Sequence, residues 1–280
     1  SDVNVGRHQE KKETGVKAWA KANNIKLVTI GSLKGLELED VIEQLKSSNV
    51  DYILVADFSF IIPEKLLEQF PGKFINIHFS LLPKYRGASP VQFAILHGDD
   101  TSGITYHIVV RKMDAGDIIH QIGYKMSNNE TSGFLYDTLF QLAARELPEV
   151  VTKYHMGQLP LRPQDESEAS YTLSPSHPDS TFIYKEDAQI DWKQEAFQID
   201  CAIRAFNPWP ISWTTLGQLE NNKKLWNPKV LIRDGVDRTK KVKVYQAVIT
   251  DQNTLEIQQL QLEGKSKVTW KEFENGYLKS

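Results

Sequence analysis

Cysteine is nearly absent from this sequence of 280 residues, in which Cys201 is the single thiol. One cysteine excludes an internal disulfide framework and is typical of a reducing compartment, so we expect a cytoplasmic protein. Long apolar runs are missing too, since none approaches the roughly 20 residues that cross a bilayer, and we expect no membrane span. The seven histidines have no cysteine or histidine partner at ligand spacing, so we predict no metal site.

An excess of charge of either sign is also lacking, because the formal net charge is −3. Any contact with nucleic acid must therefore come from a local basic patch rather than from the overall balance. Hydrophobic residues make up 40% of the chain and charged residues 25%. This composition indicates globular material that is long enough for two domains.

The first half of the chain alternates short helices and strands. Helices are predicted at 14–23, 39–47 and 63–70, strands at 25–30 and 52–56, and a long closing helix at 131–155. In the first helix, Val16, Trp19 and Ala20 share one face, and in the second Val41, Ile42 and Leu45 are expected to point inward. Alternation of this kind predicts an α/β domain with a Rossmann-like parallel sheet and helices on both faces.

The stretch from residue 74 to 117 carries the candidate chemistry. Asn76 and His78 lie two residues apart on a predicted strand, so period-two geometry places both side chains on one face. A helix is expected to begin at Pro90, and a further strand at 104–110 leads into Asp114. Because polar groups at the ends of parallel strands meet at one edge of a sheet, an amide, an imidazole and a carboxylate are expected to gather there.

That set of groups suits acyl or formyl transfer to an amine, which passes through a tetrahedral intermediate with a negative oxygen. A fixed amide donor such as Asn76 can hold that oxygen. His78 can stabilise the oxygen or move protons, and Asp114 can orient the imidazole or take a proton through a water. Spacing alone leaves open the alternative of a buried structural histidine and a turn aspartate.

Three segments resemble the signature of the folate-dependent formyltransferases: Asn76-Ile77-His78, the run SLLPKYRGASP from Ser80, and Met113–Asp117. The resemblance implies 10-formyltetrahydrofolate as cosubstrate and Asn76, His78 and Asp114 as catalytic residues, because Asp114 stands at the family's spacing from His78. The folate contacts that it implies are Ser80, Leu81, Leu82, Pro83 and Asp117, with Asp57 and Phe58 at a strand end that departs from the family pattern. For Phe58 we favour a packing role.

Further segments at 190–192, 203–210 and 260–265 resemble the branch of this family that acts on methionyl-tRNA. The resemblance implies initiator methionyl-tRNA as partner and a small OB-like β-barrel as second domain. Predicted short strands at 213–216, 224–232, 242–249, 254–262 and 268–270 also favour such a barrel. The candidate tRNA contacts are Arg7, Lys11, Lys12, Arg86, Lys240 and Lys241, and for each the alternative is a solvated surface charge.

The expected organisation is a formyltransferase domain at 1–156, a linker at 157–178 and an OB-like tRNA-binding domain at 179–280. The family opens with a βα unit, whereas residues 1–12 read as a polar loop. We therefore expect that unit, and a central strand with it, to be missing, which would leave hydrophobic neighbours uncovered. We expect a monomer. The alternatives are a sugar-nucleotide N-formyltransferase, a 10-formyltetrahydrofolate hydrolase, or a non-catalytic folate- or RNA-binding protein.

Overall fold

A computed structural model describes residues 3–5, 10–58, 60–127, 129–220, 222, 225 and 230–278 of the chain, with the backbone alone at 3–5 and 10–12. The chain divides into two compact units, Ser1–Ile75 and Asn76–Ser280. None of the helices in these ranges is both long enough and apolar enough to cross a membrane.

The first unit begins with an antiparallel hairpin of β1 (Val3–Val5) and β2 (Glu10–Lys12), where a polar loop was expected. The elements that follow are α1 (Gly15–Ala22), α2 (Gly35–Ser48), β3 (Ile53–Val55) and α3 (Glu64–Gln69). Strand β3 lies beside the start of β4 (Phe74–His78). The predicted helices at 14–23, 39–47 and 63–70 and the strand at 52–56 are confirmed.

One prediction for the first unit is wrong. The segment 25–30 is not a strand, because none of the described strands pairs with it. On α1, Ala20 is buried while Val16 and Trp19 are exposed, so the face that these residues share is only partly covered. The periodic pattern predicts the helix correctly, but burial of its apolar face depends on whether another element packs against it.

In the second unit β4 continues as Asn76–His78 and is followed in the sheet by β5 (Thr101–Ile108) and β6 (Ile118–Lys125). Strand β6 runs antiparallel to β5, and a bulge interrupts their register between Tyr106 and His107. Two helices complete this part, α4 (Pro90–Leu96) and α5 (Ser132–His155). The predicted α/β fold with parallel strands in its sheet is confirmed, although the sheet is mixed because β6 is antiparallel.

The C-terminal part contains α6 (Ala196–Ala205), β7 (Trp213–Thr215), α7 (Leu216–Leu219), β8 (Lys241–Ile249), β9 (Leu255–Leu262), β10 (Val268–Thr269) and α8 (Trp270–Tyr277). Its strands form an antiparallel sheet in the order β10-β9-β8-β7 around a core that includes Phe273 and Leu260. The described residues form an open sheet rather than a closed barrel. The predicted strand at 224–232 lies largely outside the described residues.

Helix α8 begins where a strand residue was expected, at Trp270. A capping box explains the change: the Thr269 hydroxyl accepts from the amide of Glu272, whose carboxylate accepts in return from the amide of Thr269.

Residues 157–178, which composition assigns to a linker, pair through their backbone with β6 and with the segment that follows β4. Arg162 and Ile118 exchange backbone hydrogen bonds, and Arg86 forms a bridge with Tyr171. A short 3-10 helix, Glu166–Glu168, lies between these two contacts. We refer to residues 162–172 as the brace segment.

Candidate active site

The candidate site lies where β4 ends. Asn76 and His78 alternate with buried apolar residues of β4, which place both polar side chains on one face of the strand. His78 is only 5% exposed, and Asn76 is half-buried. The structure therefore brings together the two side chains that period-two spacing predicts to be neighbours.

His78 is held by a backbone carbonyl and faces a carboxylate. Its Nε2 lies 2.9 Å from the carbonyl oxygen of Tyr85, so this nitrogen carries a proton and donates. Its Nδ1 lies 3.7 Å from Oδ2 of Asp114, which is too far for a direct hydrogen bond. Burial lowers the pKa of His78, although the Asp114 carboxylate partly opposes this shift. A neutral His78 thus presents a lone pair at Nδ1 toward the space beside Asp114.

Asp114 is fixed by donors from several elements. The backbone amide of Gly87 donates to its Oδ2 at 2.8 Å, and Asn76 Nδ2 donates to its Oδ1 at 3.4 Å. Burial raises the pKa of this carboxyl, but the charge that His78 carries when it is protonated, together with contacts with His107 and Gly87, outweighs burial and brings the pKa to about 2. Asp114 is therefore an ionised acceptor at neutral pH.

His107 on β5 joins this cluster, and the sequence analysis missed it. Its Nδ1 lies 3.0 Å from the carbonyl oxygen of Ile108, which assigns the proton to Nδ1 in the neutral ring. Its Nε2 then accepts from Asn76 Nδ2 at 3.1 Å and lies 3.5 Å from Oδ1 of Asp114. A histidine in a buried strand just before the Asp114 loop was the available signal. The bulge at Tyr106/His107 interrupts the alternation of side chains along β5, so the direction of the His107 side chain does not follow from the sequence pattern.

Together these groups provide an amide donor, two imidazoles and a carboxylate, in which Asn76, His107 and Asp114 lie 3.1 to 3.5 Å from one another and His78 neighbours Asp114. The long 3.4 Å contact between Asn76 and Asp114 is weak, so that N–H can turn toward a bound oxyanion. His78 Nδ1 and Asp114 Oδ2 are two proton acceptors that lie 3.7 Å apart. Such a set can stabilise negative charge on oxygen and remove a proton from an attacking amine.

The residues from Ser80 to Pro83 make local hydrogen bonds and also line a cavity. The Ser80 hydroxyl donates to the carbonyl of Lys84 at 2.6 Å, and the Leu82 amide donates to Thr105 Oγ1 at 3.1 Å. All four residues line a cavity of about 250 Å³, where Ser102 contributes a buried hydroxyl that has no partner among the described residues. Asp117, the other candidate of this unit, is half-buried and accepts from the Ile108 amide through its backbone carbonyl.

Asp57 and Phe58 belong to the first unit. Asp57 is exposed and has a left-handed backbone, with φ of 49°. Phe58 is 43% exposed and packs edge-to-face on Phe60 at 5.5 Å between ring centroids. Their predicted role in folate binding stays a prediction.

The candidate tRNA residues fall into three groups. Arg7 lies outside the described residues, and Lys11 and Lys12 belong to β2, whose side chains lie outside the description as well. Lys240 and Lys241 are exposed, and Lys241 Nζ lies 4.0 Å from the centroid of the Trp213 ring. Arg86, in contrast, is fully buried, and its guanidinium binds Gln164 and Glu166. A substrate contact by Arg86 would require this network to open.

An α/β sheet whose strand end carries a half-buried amide, two imidazoles and a carboxylate has the groups that a group-transfer enzyme can use for charge stabilisation and proton removal. The chain belongs to the formyl transferase family. The sequence model of the formyl transferase domain matches residues 1–151, and that of the formyl transferase C-terminal domain matches residues 182–278.

Known proteins agree with this assignment. The methionyl-tRNA formyltransferase of Streptococcus agalactiae is 34% identical over 98% of this chain and 85% of its own length. The solved methionyl-tRNA formyltransferase of Clostridium thermocellum has the same fold, with a TM-score of 0.57, 19% identity and coverage of 88% of this chain and 91% of its own. HypX of Aquifex aeolicus, solved with tetrahydrofolic acid, has a TM-score of 0.56 at 14% identity over 83% of this chain and 40% of its own.

Proposed function

We propose that this formyl transferase moves the formyl group of 10-formyltetrahydrofolate to the α-amine of initiator methionyl-tRNA, for translation initiation. The observation that carries the proposal is the Asn76–His78–Asp114 cluster, in a chain that is 34% identical to methionyl-tRNA formyltransferases over 98% of its length. The α-amine of an aminoacyl ester has a pKa near or below neutrality, so a neutral fraction is present without strong activation.

In the proposed reaction the amine nitrogen bonds to the formyl carbon, the bond from that carbon to N10 of the folate breaks, and N10 receives a proton. Asn76 donates to the formyl oxygen while it carries negative charge. His78 accepts a proton at Nδ1 and in that protonated form stabilises the same oxygen, while Asp114 supports His78 and accepts the amine proton through a water. The two acceptors His78 Nδ1 and Asp114 Oδ2, 3.7 Å apart, support this division of roles.

Cosubstrate binding is assigned to Ser80, Leu81, Leu82, Pro83, Asp117, Asp57 and Phe58. The cavity of about 250 Å³ beside the first four residues and the unpartnered hydroxyl of Ser102 support this assignment in the second unit. That volume is below the roughly 300–1,000 Å³ of pockets for drug-sized ligands, so it would hold only a part of the folate.

We assign catalysis to residues 1–156 and tRNA binding to residues 179–280, which would form an OB-like domain with 157–178 between them. The exposed Lys240 and Lys241 at the start of β8 support a phosphate contact there. Arg7, Lys11 and Lys12 are the candidates for contact near the acceptor end of the tRNA. We propose a monomeric enzyme that works in the cytoplasm, where its single cysteine stays reduced.

The test is formyl transfer from 10-formyltetrahydrofolate to charged initiator tRNA, with water alone and an amino-sugar nucleotide as the other acceptors. We expect transfer to the tRNA, and a loss in turnover of at least about 100-fold in Asn76→Ala. Asn275→Ala is the matched control, because Asn275 is exposed on α8.

Each other outcome has a definite meaning. Folate turnover without tRNA would identify a hydrolase, and transfer to the sugar alone would identify a sugar-nucleotide enzyme. Folate binding without any turnover would identify a binding protein. Unchanged turnover in Asn76→Ala would remove the assigned role of that amide.

A further inference from the structure

The Gln164 side chain, from the brace segment, binds both ends of the turn that carries Asp114. Its Nε2 donates to the carbonyl oxygen of Asp114 at 2.8 Å and to that of Gly116 at 2.7 Å. The turn needs such support, because Asp114 has a left-handed backbone with φ of 50°, a conformation that residues other than glycine rarely adopt. One side-chain amide therefore holds the backbone of the carboxylate that faces His78.

Arg86 fixes the orientation of the Gln164 amide. The guanidinium donates to Gln164 Oε1 from Nε at 3.2 Å and from Nη2 at 2.8 Å. A guanidinium has only donors and a carbonyl has only acceptors, so the opposite orientation of the amide would lose every one of these bonds. Arg86 is itself fully buried and bound to Glu166 at 2.9 Å, so it is a fixed anchor.

The backbone next to Arg86 acts on the other end of Asp114. The amide of Gly87 donates to Asp114 Oδ2 at 2.8 Å. Two adjacent residues therefore act on Asp114: Gly87 binds its carboxylate directly, and Arg86 supports its backbone turn through Gln164. Backbone hydrogen bonds hold the brace segment beside Arg86. The Arg86 amide donates to the Ser170 carbonyl at 2.8 Å, and the Thr172 amide donates to the Arg86 carbonyl at 2.9 Å.

We infer that Gln164 is a positioning residue that directs the Asp114 carboxylate toward His78 during formyl transfer. The inference rests on the proposed role of Asp114 in that reaction. Gln164 lies outside the segments that resemble the family signature and acts through the Asp114 turn. Its loss should lower the rate of the chemical step and leave substrate binding intact, because a small misplacement of a catalytic group costs far more in turnover than in affinity.

The first test variant is Gln164→Glu. The new carboxylate keeps its bonds to Arg86, but it has no donor for the carbonyl oxygens of Asp114 and Gly116. We expect kcat to fall by about 10- to 100-fold while KM for both substrates changes less than about twofold. Gln158→Glu is the control, because Gln158 is exposed just before the brace segment and its side chain contacts only Met156 among the bonds described. Wild-type kcat in Gln164→Glu would overturn the inference.

The double variant Asp114→Asn/Gln164→Glu separates positioning from general stability. If Gln164 acts through Asp114, the double variant should have the same kcat as Asp114→Asn alone. Losses that multiply would show that Gln164 acts through folding or through another group, and would overturn the inference. Gln164→Met, which has nearly the same shape and no polar group, replaces the glutamate variant if that protein does not fold.

Hydrogen exchange tests the inference independently of the reaction. Amides in 108–118 should exchange faster in Gln164→Glu than in wild type, and at the wild-type rate in Gln158→Glu. An unchanged rate in Gln164→Glu would contradict the bracing contact. A wild-type protein that formylates no tRNA would refute the proposed function, while the exchange data would still decide whether Gln164 holds the turn.

Discussion

The two units of the chain differ in how they treat their large hydrophobic residues. In the first unit many of them stay in water, including Leu36 at 84% exposure and Ile61 at 82%. In the second unit the comparable residues Leu135, Leu139 and Tyr106 are fully buried, and the Tyr106 hydroxyl donates to the Ala143 carbonyl. Because burial of apolar surface is the main favourable term in folding, the second unit derives much more stability from its own packing.

The candidate catalytic and folate-binding residues follow the same division. Asn76, His78, His107 and Asp114 are held by one another and by backbone groups in the second unit. The folate candidates of the first unit, Asp57 and Phe58, are exposed. Fixed geometry in one unit and exposed side chains in the other predict that equivalent substitutions will have very different effects.

The largest difference is expected for leucine truncation in the two units. Leu135→Ala empties a fully buried site on α5 and should lower the free energy of unfolding of the second unit by about 2–5 kcal/mol. Leu36→Ala on α2 should change stability by less than about 0.5 kcal/mol, because that side chain is already in water. Urea unfolding, followed by hydrogen exchange in each unit, measures both values. A cost for Leu36→Ala as large as that for Leu135→Ala would contradict the comparison.

Features that depend on local spacing were predictable from the sequence, whereas features that depend on distant contacts were not. Spacing on β4 places Asn76 and His78 on one face, and the structure confirms that placement. The contributions of His107 and of Gln164 are not predictable from local pattern. A bulge reorients the first, and the second depends on hydrogen bonds across some 50 residues of chain in a segment without periodicity. For Trp19 the helix was predictable, but the exposure of its apolar face was not, because burial depends on distant partners.

The next largest effect concerns two aspartates. Asp114→Asn keeps the shape of the side chain but removes the charge that faces His78, so kcat for formyl transfer should fall by at least about 100-fold with little change in stability. Asp51→Asn in the first unit should change kcat by no more than about twofold, because Asp51 is exposed and has no role in the proposed site. Steady-state kinetics with both substrates varied measures each effect. Near-wild-type turnover in Asp114→Asn would refute the assigned mechanism.

The smallest effect expected is the pH dependence of stability, and it should also arise in the second unit. Burial lowers the pKa of His78 in the folded protein below the value of 6.5 that it regains on unfolding. The unfolded chain therefore binds more protons, and stability falls as the pH falls below about 6.5. Between pH 6.5 and 5.5, wild type should lose up to about 1 kcal/mol more than His78→Asn does.

Glu37 in the first unit provides the control for this pH dependence. A hydrogen bond from Ser32 lowers the pKa of this exposed carboxyl below 4.5, so it stays ionised in the folded state throughout the same pH range. Glu37→Gln should leave the slope of stability against pH unchanged. Unfolding midpoints in urea at pH 6.5 and 5.5 give the three slopes. Equal slopes for wild type and His78→Asn would mean that His78 keeps an ordinary pKa. That result would contradict the assignment of a neutral His78 imidazole beside Asp114.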